Sequence, residues 1–218
     1  MRQGFFLSAM ATALTLMSAS GAVVVDRMAV VVGKRVVKLS DIERDLRVTA
    51  FLNREPLALD AGARKKAAER LIDQEIMRQE IATGRYKRAT DDDALALLLQ
   101  IRQERFGGAE ARLRSALAQY GVSEEQLREQ LLWQLTVLRF IEQRFRPGVL
   151  VDDEEVRVYY DQHQSELRKQ YPQDNRFEVL APKIRSSLEG ERMDKALETW
   201  IAQARTRNRI EYREEAFR

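Results

Sequence analysis

Reactive chemistry has few places to reside in this chain. Its 218 residues contain no Cys and one His, His163. Without Cys there is no thiolate nucleophile, no disulfide and no sulfur-ligated metal. A single His excludes sites built from paired imidazoles. It also removes the usual acid–base group near neutral pH. The one ligand-like spacing around it is Asp161-x-His163-x-x-Glu166. That spacing falls near the end of a polar helical stretch, and a solvated face is the better reading. Asp91-Asp92-Asp93 and Asp152-Asp153-Glu154-Glu155 are acidic enough to attract a cation. Both runs sit at helix starts, where carboxylates meet the positive end of the macrodipole. Neither G-x-G-x-x-G nor a Walker pattern occurs, and no Ser–His–Asp arrangement stands out. No catalytic residue, metal or cofactor is therefore assigned.

Charge argues in the same direction. The chain carries 37 Lys+Arg against 34 Asp+Glu, a formal charge of +3, with 7% aromatic residues. A difference that small is no basis for a nucleic-acid partner. Basic clusters at 64–66, 85–88 and 205–209 are short and interspersed with acids, so they read as solvated faces. Many charges and few aromatics suit a helical protein rather than a β-sandwich.

The elements that must position any site follow from periodicity and caps. Val-rich stretches at 23–32 and 35–38 flank Gly33-Lys34 and predict a short hairpin. Ser40-Asp41-Ile42-Glu43 reads as a capping box opening a helix over 41–52. Asp60 caps a second helix reaching 83, and Gly84 stops it. Thr90 caps a third, ended by Gly107-Gly108. A short fourth helix covers 109–120. Ser123-Glu124-Glu125-Gln126 opens the longest, to about Phe145. A sixth helix runs from 152 to about 167, an irregular polar connector covers 169–180, and Pro182 starts a seventh helix reaching 206. The apolar stripe of this last helix changes phase near Gly190, so its halves should touch different neighbours. Ile210 and Tyr212 alternate with charges as a final strand that can pair with the first.

The fifth helix carries two apolar stripes. Leu127, Leu131, Leu135, Leu138, Ile141 and Phe145 form one; Trp133, Val137 and Phe140 form the other. At about 100° per residue their centres lie well over 90° apart. Such a helix either packs between two neighbours or keeps one side for a partner. Trp133, Val137 and Phe140 are the candidate peptide-binding residues on the second alternative.

The first 22 residues have the form of a secretory signal: Arg2, an uncharged apolar run, then Ser20-Gly21-Ala22. Cleavage between Ala22 and Val23 is expected, with no stable membrane insertion afterwards.

The order of these pieces resembles the SurA-type periplasmic chaperones. The likeness is carried by Val24-Val25-Asp26 through Val30-Val31-Val32-Gly33, then Val36-Val37 and Leu39-Ser40-Asp41-Ile42. Leu71-Ile72-Asp73-Gln74-Glu75-Ile76, Tyr120-Gly121-Val122-Ser123 with Leu127-Arg128-Glu129-Gln130-Leu131, and Val151 to Val156 with Tyr159-Tyr160 continue it in sequence. In that family, which is related to PrsA, a parvulin prolyl isomerase follows the last segment. Here the 12-residue connector replaces it, and even a small domain needs about 50 residues. The resemblance therefore implies a mainly α SurA N-terminal-like chaperone domain whose N- and C-terminal strands form a small β element. The expected organisation is a signal at 1–22, a chaperone domain at 23–168, the connector at 169–180, and a C-terminal helix and strand at 181–218. The implied activity is ATP-independent holding of unfolded polypeptides, outer-membrane protein precursors among them, in the periplasm. The alternatives are an isomerase-family role, residual or in trans, and a structural adaptor or homo-oligomer.

Overall fold

A computed structural model describes residues 26–217. The signal segment and its Ala22–Val23 cleavage point lie outside the described residues. Within them the chain is mainly helical, with one small antiparallel sheet.

Strands β1 (Met28–Val32) and β2 (Arg35–Lys38) form the expected hairpin. Its two-residue turn needs positive φ, which Gly33 supplies at +59°. The C-terminal strand β3 (Ile210–Tyr212) pairs antiparallel with the other edge of β1, placing Val30 opposite Tyr212 and Val32 opposite Ile210. The order is thus β2-β1-β3. The register shifts between Met28 and Val30. That irregularity lets Ala29 and Val30 both be fully buried, which strict alternation forbids.

Helix α1 (Leu39–Asn53) begins two residues before the expected position. Ser40 is not its cap. Its hydroxyl donates to Asp26 Oδ2 at 2.5 Å, and Lys38 occupies the cap position, its N–H donating to Asp41. Helices α2 (Ala61–Thr83), α3 (Asp91–Phe106), α4 (Glu110–Tyr120) and α5 (Glu124–Phe145) match the expected starts at Asp60, Thr90 and Ser123. Each of those three caps accepts a backbone N–H from the first turn. A 3₁₀ turn at Arg146–Gly148 follows α5.

The next region departs from expectation. The sixth helix is broken into α6 (Asp153–Gln162) and α7 (Gln164–Gln170). The break lies at His163, whose ring stacks on Tyr159 at 4.0 Å. In its Nδ1–H tautomer the ring donates to the Tyr159 carbonyl, which its own backbone N–H also reaches, crowding the end of that turn. The irregular link shrinks to residues 171–176, because α8 (Phe177–Arg207) starts earlier than Pro182 implied. Pro182 therefore sits inside the helix near its start, giving up only the N–H that would have reached Glu178.

Four apolar clusters hold this together. The sheet packs on α1, α2 and the end of α8 through Val30, Ile42, Ile72, Ala204 and Phe217. Helices α1, α3, α4 and the first half of α5 share a second cluster around Phe51, Leu98, Leu117 and Leu127. A third joins α6 and α7 to the first half of α8 through Val156, Leu167, Leu180 and Ile184. The fourth joins α2, the second half of α5 and α8 around Phe140. The phase change along α8 is thus real: Ile184 and Leu188 belong to the third cluster, Leu197 and Trp200 to the fourth.

Polar contacts lock the chain's end onto α2. Arg205 donates to Asp73 at 2.6 Å and to Glu69 at 2.7 Å, and the Tyr212 hydroxyl donates to Glu69 at 2.6 Å. Burial and the adjacent Glu69 carboxylate push the Tyr212 phenol up to about 12.

Two predictions follow from this packing. Phe140 is fully buried whereas Leu138, on the same helix, is 58% exposed. Phe140→Ala is expected to lower unfolding free energy by about 3–5 kcal/mol, and Leu138→Ala by no more than ~0.5 kcal/mol; urea denaturation checks both. The second concerns acid. Asp93 accepts hydrogen bonds from the Thr90 backbone, then from Arg139 and the Thr90 hydroxyl, which hold its carboxyl at about 2. A pKa lowered on folding stabilises the fold above the ordinary carboxylate range and is lost as pH falls toward 2. Asp93→Asn should therefore flatten the fall in melting temperature between about pH 5 and pH 2; an unchanged slope contradicts it.

Candidate functional site

The two stripes of α5 do not map one to one onto two neighbours: Leu127 and Leu131 enter the second cluster, whereas Ile141 and Phe145 of the same stripe join Trp133, Val137 and Phe140 in the fourth. Phe140 has no exposed surface. Its ring centroid lies 4.9 Å from Tyr86, 5.6 Å from Trp200 and 6.0 Å from Phe145. It is a core residue, and its place among the peptide-binding candidates is corrected here. The sequence pattern cannot separate a stripe for a partner from a stripe for α2 and α8, because both require the same residues. Val137 is half-buried against the same cluster.

Trp133 packs against the fourth cluster too, but it is half-buried and also borders an open cleft of about 440 Å³. On a helical projection, Glu129, Leu132, Thr136 and Trp133 share one side of α5 with the buried Phe140; Leu132 packs against the second cluster, Trp133 against the fourth, and Thr136 is buried. Ile81 and Ala82 from the end of α2 supply the opposite apolar wall. Arg35, Arg78 and Arg88 border it, and the Arg78 guanidinium carbon lies 4.4 Å over the Trp133 ring.

The loop at 84–90 is stitched to α5 and holds one side of the cleft. Gln143 accepts the Lys87 N–H at 2.9 Å and donates to the Lys87 carbonyl at 3.1 Å. Arg139 donates to the Arg88 carbonyl at 2.9 Å. Thr136 accepts the Ala89 N–H at 3.3 Å while its hydroxyl donates to Leu132 at 2.8 Å. None of these partners is legible from sequence, since they lie 47–56 positions apart.

Trp133 also borders a smaller hollow of about 200 Å³ toward α1, lined by Asp45, Gln74, Glu75 and Gln130 among others. Burial pushes the Asp45 carboxyl above its ordinary range, although Arg70 lies 2.5 Å away and opposes the shift. That hollow is polar and suits water better than an apolar side chain.

The acidic runs act as helix starts. Asp93 closes a capping box with Thr90, and Asp152 with Glu155. Among the described residues no cluster of His, Asp and Glu could hold a metal ion. No described helix is long and apolar enough to cross a membrane.

Tyr86 anchors the closed end of the loop. Its hydroxyl donates to Glu80 at 3.0 Å and accepts from Arg144 at 2.6 Å, and its ring stands edge-on to Phe140. Gly84 permits this. A Cβ there would lie 2.2 Å from the Tyr86 ring, although the backbone φ of −87° suits any residue. Gly84→Ala should therefore cost about 1–3 kcal/mol despite its exposure, by driving Tyr86 off Phe140. Equilibrium unfolding of that variant, compared with Gly84→Ala in a Tyr86→Ala background where the cost disappears, checks the cause.

No protein-family model matches this chain, and no curated protein sequence matches it.

Proposed function

We propose that the protein is an ATP-independent holding chaperone of SurA N-terminal type, acting in the periplasm on unfolded polypeptides such as outer-membrane precursors. The reading rests on the ordered phrases from Val24 to Tyr160 and on one structural observation. A Trp on a well-packed helix is left at an open cleft beside Leu132, Ile81 and Ala82. Apolar segments of a client gain burial there at about 25 cal/mol per Å², less the cost of ordering. Only contact is made, so release needs no nucleotide. Trp133 is the client contact; Phe140 supports it from within.

The arrangement of chain ends supports the same reading. The resemblance implies a C-terminal segment that completes the N-terminal domain, and β3 lies beside β1. Between α7 and α8 only residues 171–176 intervene. The rival reading, a structural adaptor or homo-oligomer, draws on Leu95 and Leu99, which lie one turn apart on α3 and are 45% and 41% exposed.

The deciding measurement is suppression of aggregation of a urea-diluted outer-membrane protein. Wild type should suppress it. Trp133→Ala, shown folded by circular dichroism, should need at least about fivefold more protein for equal effect, equivalent to ~1 kcal/mol of lost contact. No suppression by wild type rejects the function. Light scattering on the same samples addresses the rival, which requires a stable oligomer that Leu95→Ser with Leu99→Ser dissociates.

A further inference from the structure

We propose that the Trp133 cleft selects polypeptide segments in which a carboxylate side chain neighbours an aromatic or long aliphatic one. This rests on the holding reading and adds to it the chemistry of the client.

Three guanidinium groups border the cleft, while Glu129 is the only carboxylate among the described residues that line it. The arginines are weakly engaged. Arg35 reaches Glu75 only at 3.8 Å and keeps three-quarters of its side chain exposed. Arg88 spends one N–H on the Ile81 carbonyl at 3.2 Å. The Arg78 guanidinium carbon lies 4.4 Å over the Trp133 ring. Arg78 feels the charges of Glu75 and Asp41 on its other side, and Arg88 makes its side-chain hydrogen bond to a backbone carbonyl. Other arginines divide: Arg64, Arg139, Arg144 and Arg205 sit within 3.0 Å of an Asp or Glu, whereas Arg47 and Arg105 donate to backbone carbonyls as Arg88 does. The cleft is thus a local cationic edge on a chain whose overall charge nearly cancels.

The Trp133 ring draws the Arg78 cation over it, so that an aromatic surface and a hydrogen-bond donor stand side by side at the cleft. A guanidinium edge matches a carboxylate in two parallel hydrogen bonds. The apolar walls, Leu132, Ile81 and Ala82, take the neighbouring side chain. The smaller hollow on the other side of Trp133 sets Asp41, Asp45, Glu75 and Glu129 against Arg44 and Arg78, a lining less favourable to a carboxylate. The acidic group is therefore directed toward Arg88 and the apolar group toward Trp133. A nucleic acid fits less well, because it needs several stacking rings along a groove and the cleft offers one.

The test uses two fluorophore-labelled, end-blocked dodecapeptides, one alternating Glu with Phe and Leu between Ser residues, the other with Gln for every Glu. The full chain should bind the acidic peptide about fivefold more tightly at low salt, and the ratio should shrink to about twofold or less at 0.5 M NaCl as charges are screened. Arg88→Gln, which also gives up the hydrogen bond to the Ile81 carbonyl and is first shown folded by circular dichroism, should cut the ratio several-fold. Arg114→Gln, on α4, should leave the ratio unchanged. Equal binding of both peptides, with Trp133→Ala weakening both, overturns the charge selection while leaving the holding function standing. Suppression of aggregation without binding of either peptide overturns the cleft as the client site. Displacement of the acidic peptide by an equimolar single-stranded oligonucleotide overturns the assignment to polypeptides.

Discussion

The burial of α5 on two sides is the constraint on which the remaining structure depends. One face closes the cluster of α1, α3 and α4, and the other closes the cluster of α2 and α8. A surface helix buries one stripe; this one buries two, so it acts as the central post. Phe140 shows how tightly the second face is held, with three aromatic neighbours and no exposed surface. Each fully buried Leu or Phe on this helix contributes about 1.5–3 kcal/mol by transfer alone.

The second dependence is the closure of the chain on itself. β1 is central in its sheet, with β2 on one side and β3, some 180 positions later, on the other. Contacts at that separation carry a large loop-closure cost, which grows only slowly with length. The Arg205–Glu69–Asp73 group and the Tyr212 hydroxyl help to offset it from the α2 side. Between these ends, α8 has 31 residues and a length of about 46 Å. Its first half leaves the body and gathers α6 and α7 into a small core of their own. Arg146, bridging Glu142 on α5 and Glu189 on α8, ties the two regions together at the surface.

Local rules were enough for most elements. Asp60, Thr90 and Ser123 cap where their side chains suggest, because a cap is decided by hydrogen bonds within three residues. Ser40 failed as a cap because Asp26, fourteen positions earlier, takes its hydroxyl. The break at His163 also escaped periodicity: it depends on a ring stacking on Tyr159 and sharing a carbonyl with the backbone. Pro182 pointed to a helix start and sits five residues inside one, since the first turn lacks intrahelical N–H partners and the next loses only one bond. The site was half legible. Two stripes on α5 announced that something covers both faces, but whether α8 or a partner does so depends on a contact between Phe140 and Trp200, sixty positions apart. The arginines of the cleft come from β2, α2 and the following loop, and nothing in their spacing links them.

The cleft lies beside Trp133, where the end of α2 and the loop that Gln143, Arg139 and Thr136 fasten down wall a concavity against α5. A cleft of about 440 Å³ is at the small end of ligand sites, which span about 300–1,000 Å³. Filling it with one or two apolar side chains contributes roughly 2–6 kcal/mol before ordering costs. Millimolar binding already corresponds to about 4 kcal/mol. Contact at one such cleft is therefore intrinsically weak and quickly reversed, which is what a holding protein without a nucleotide cycle requires. The ionic contact proposed at the arginine edge would add selectivity without making that contact permanent, because exposed pairs contribute no more than about 1 kcal/mol.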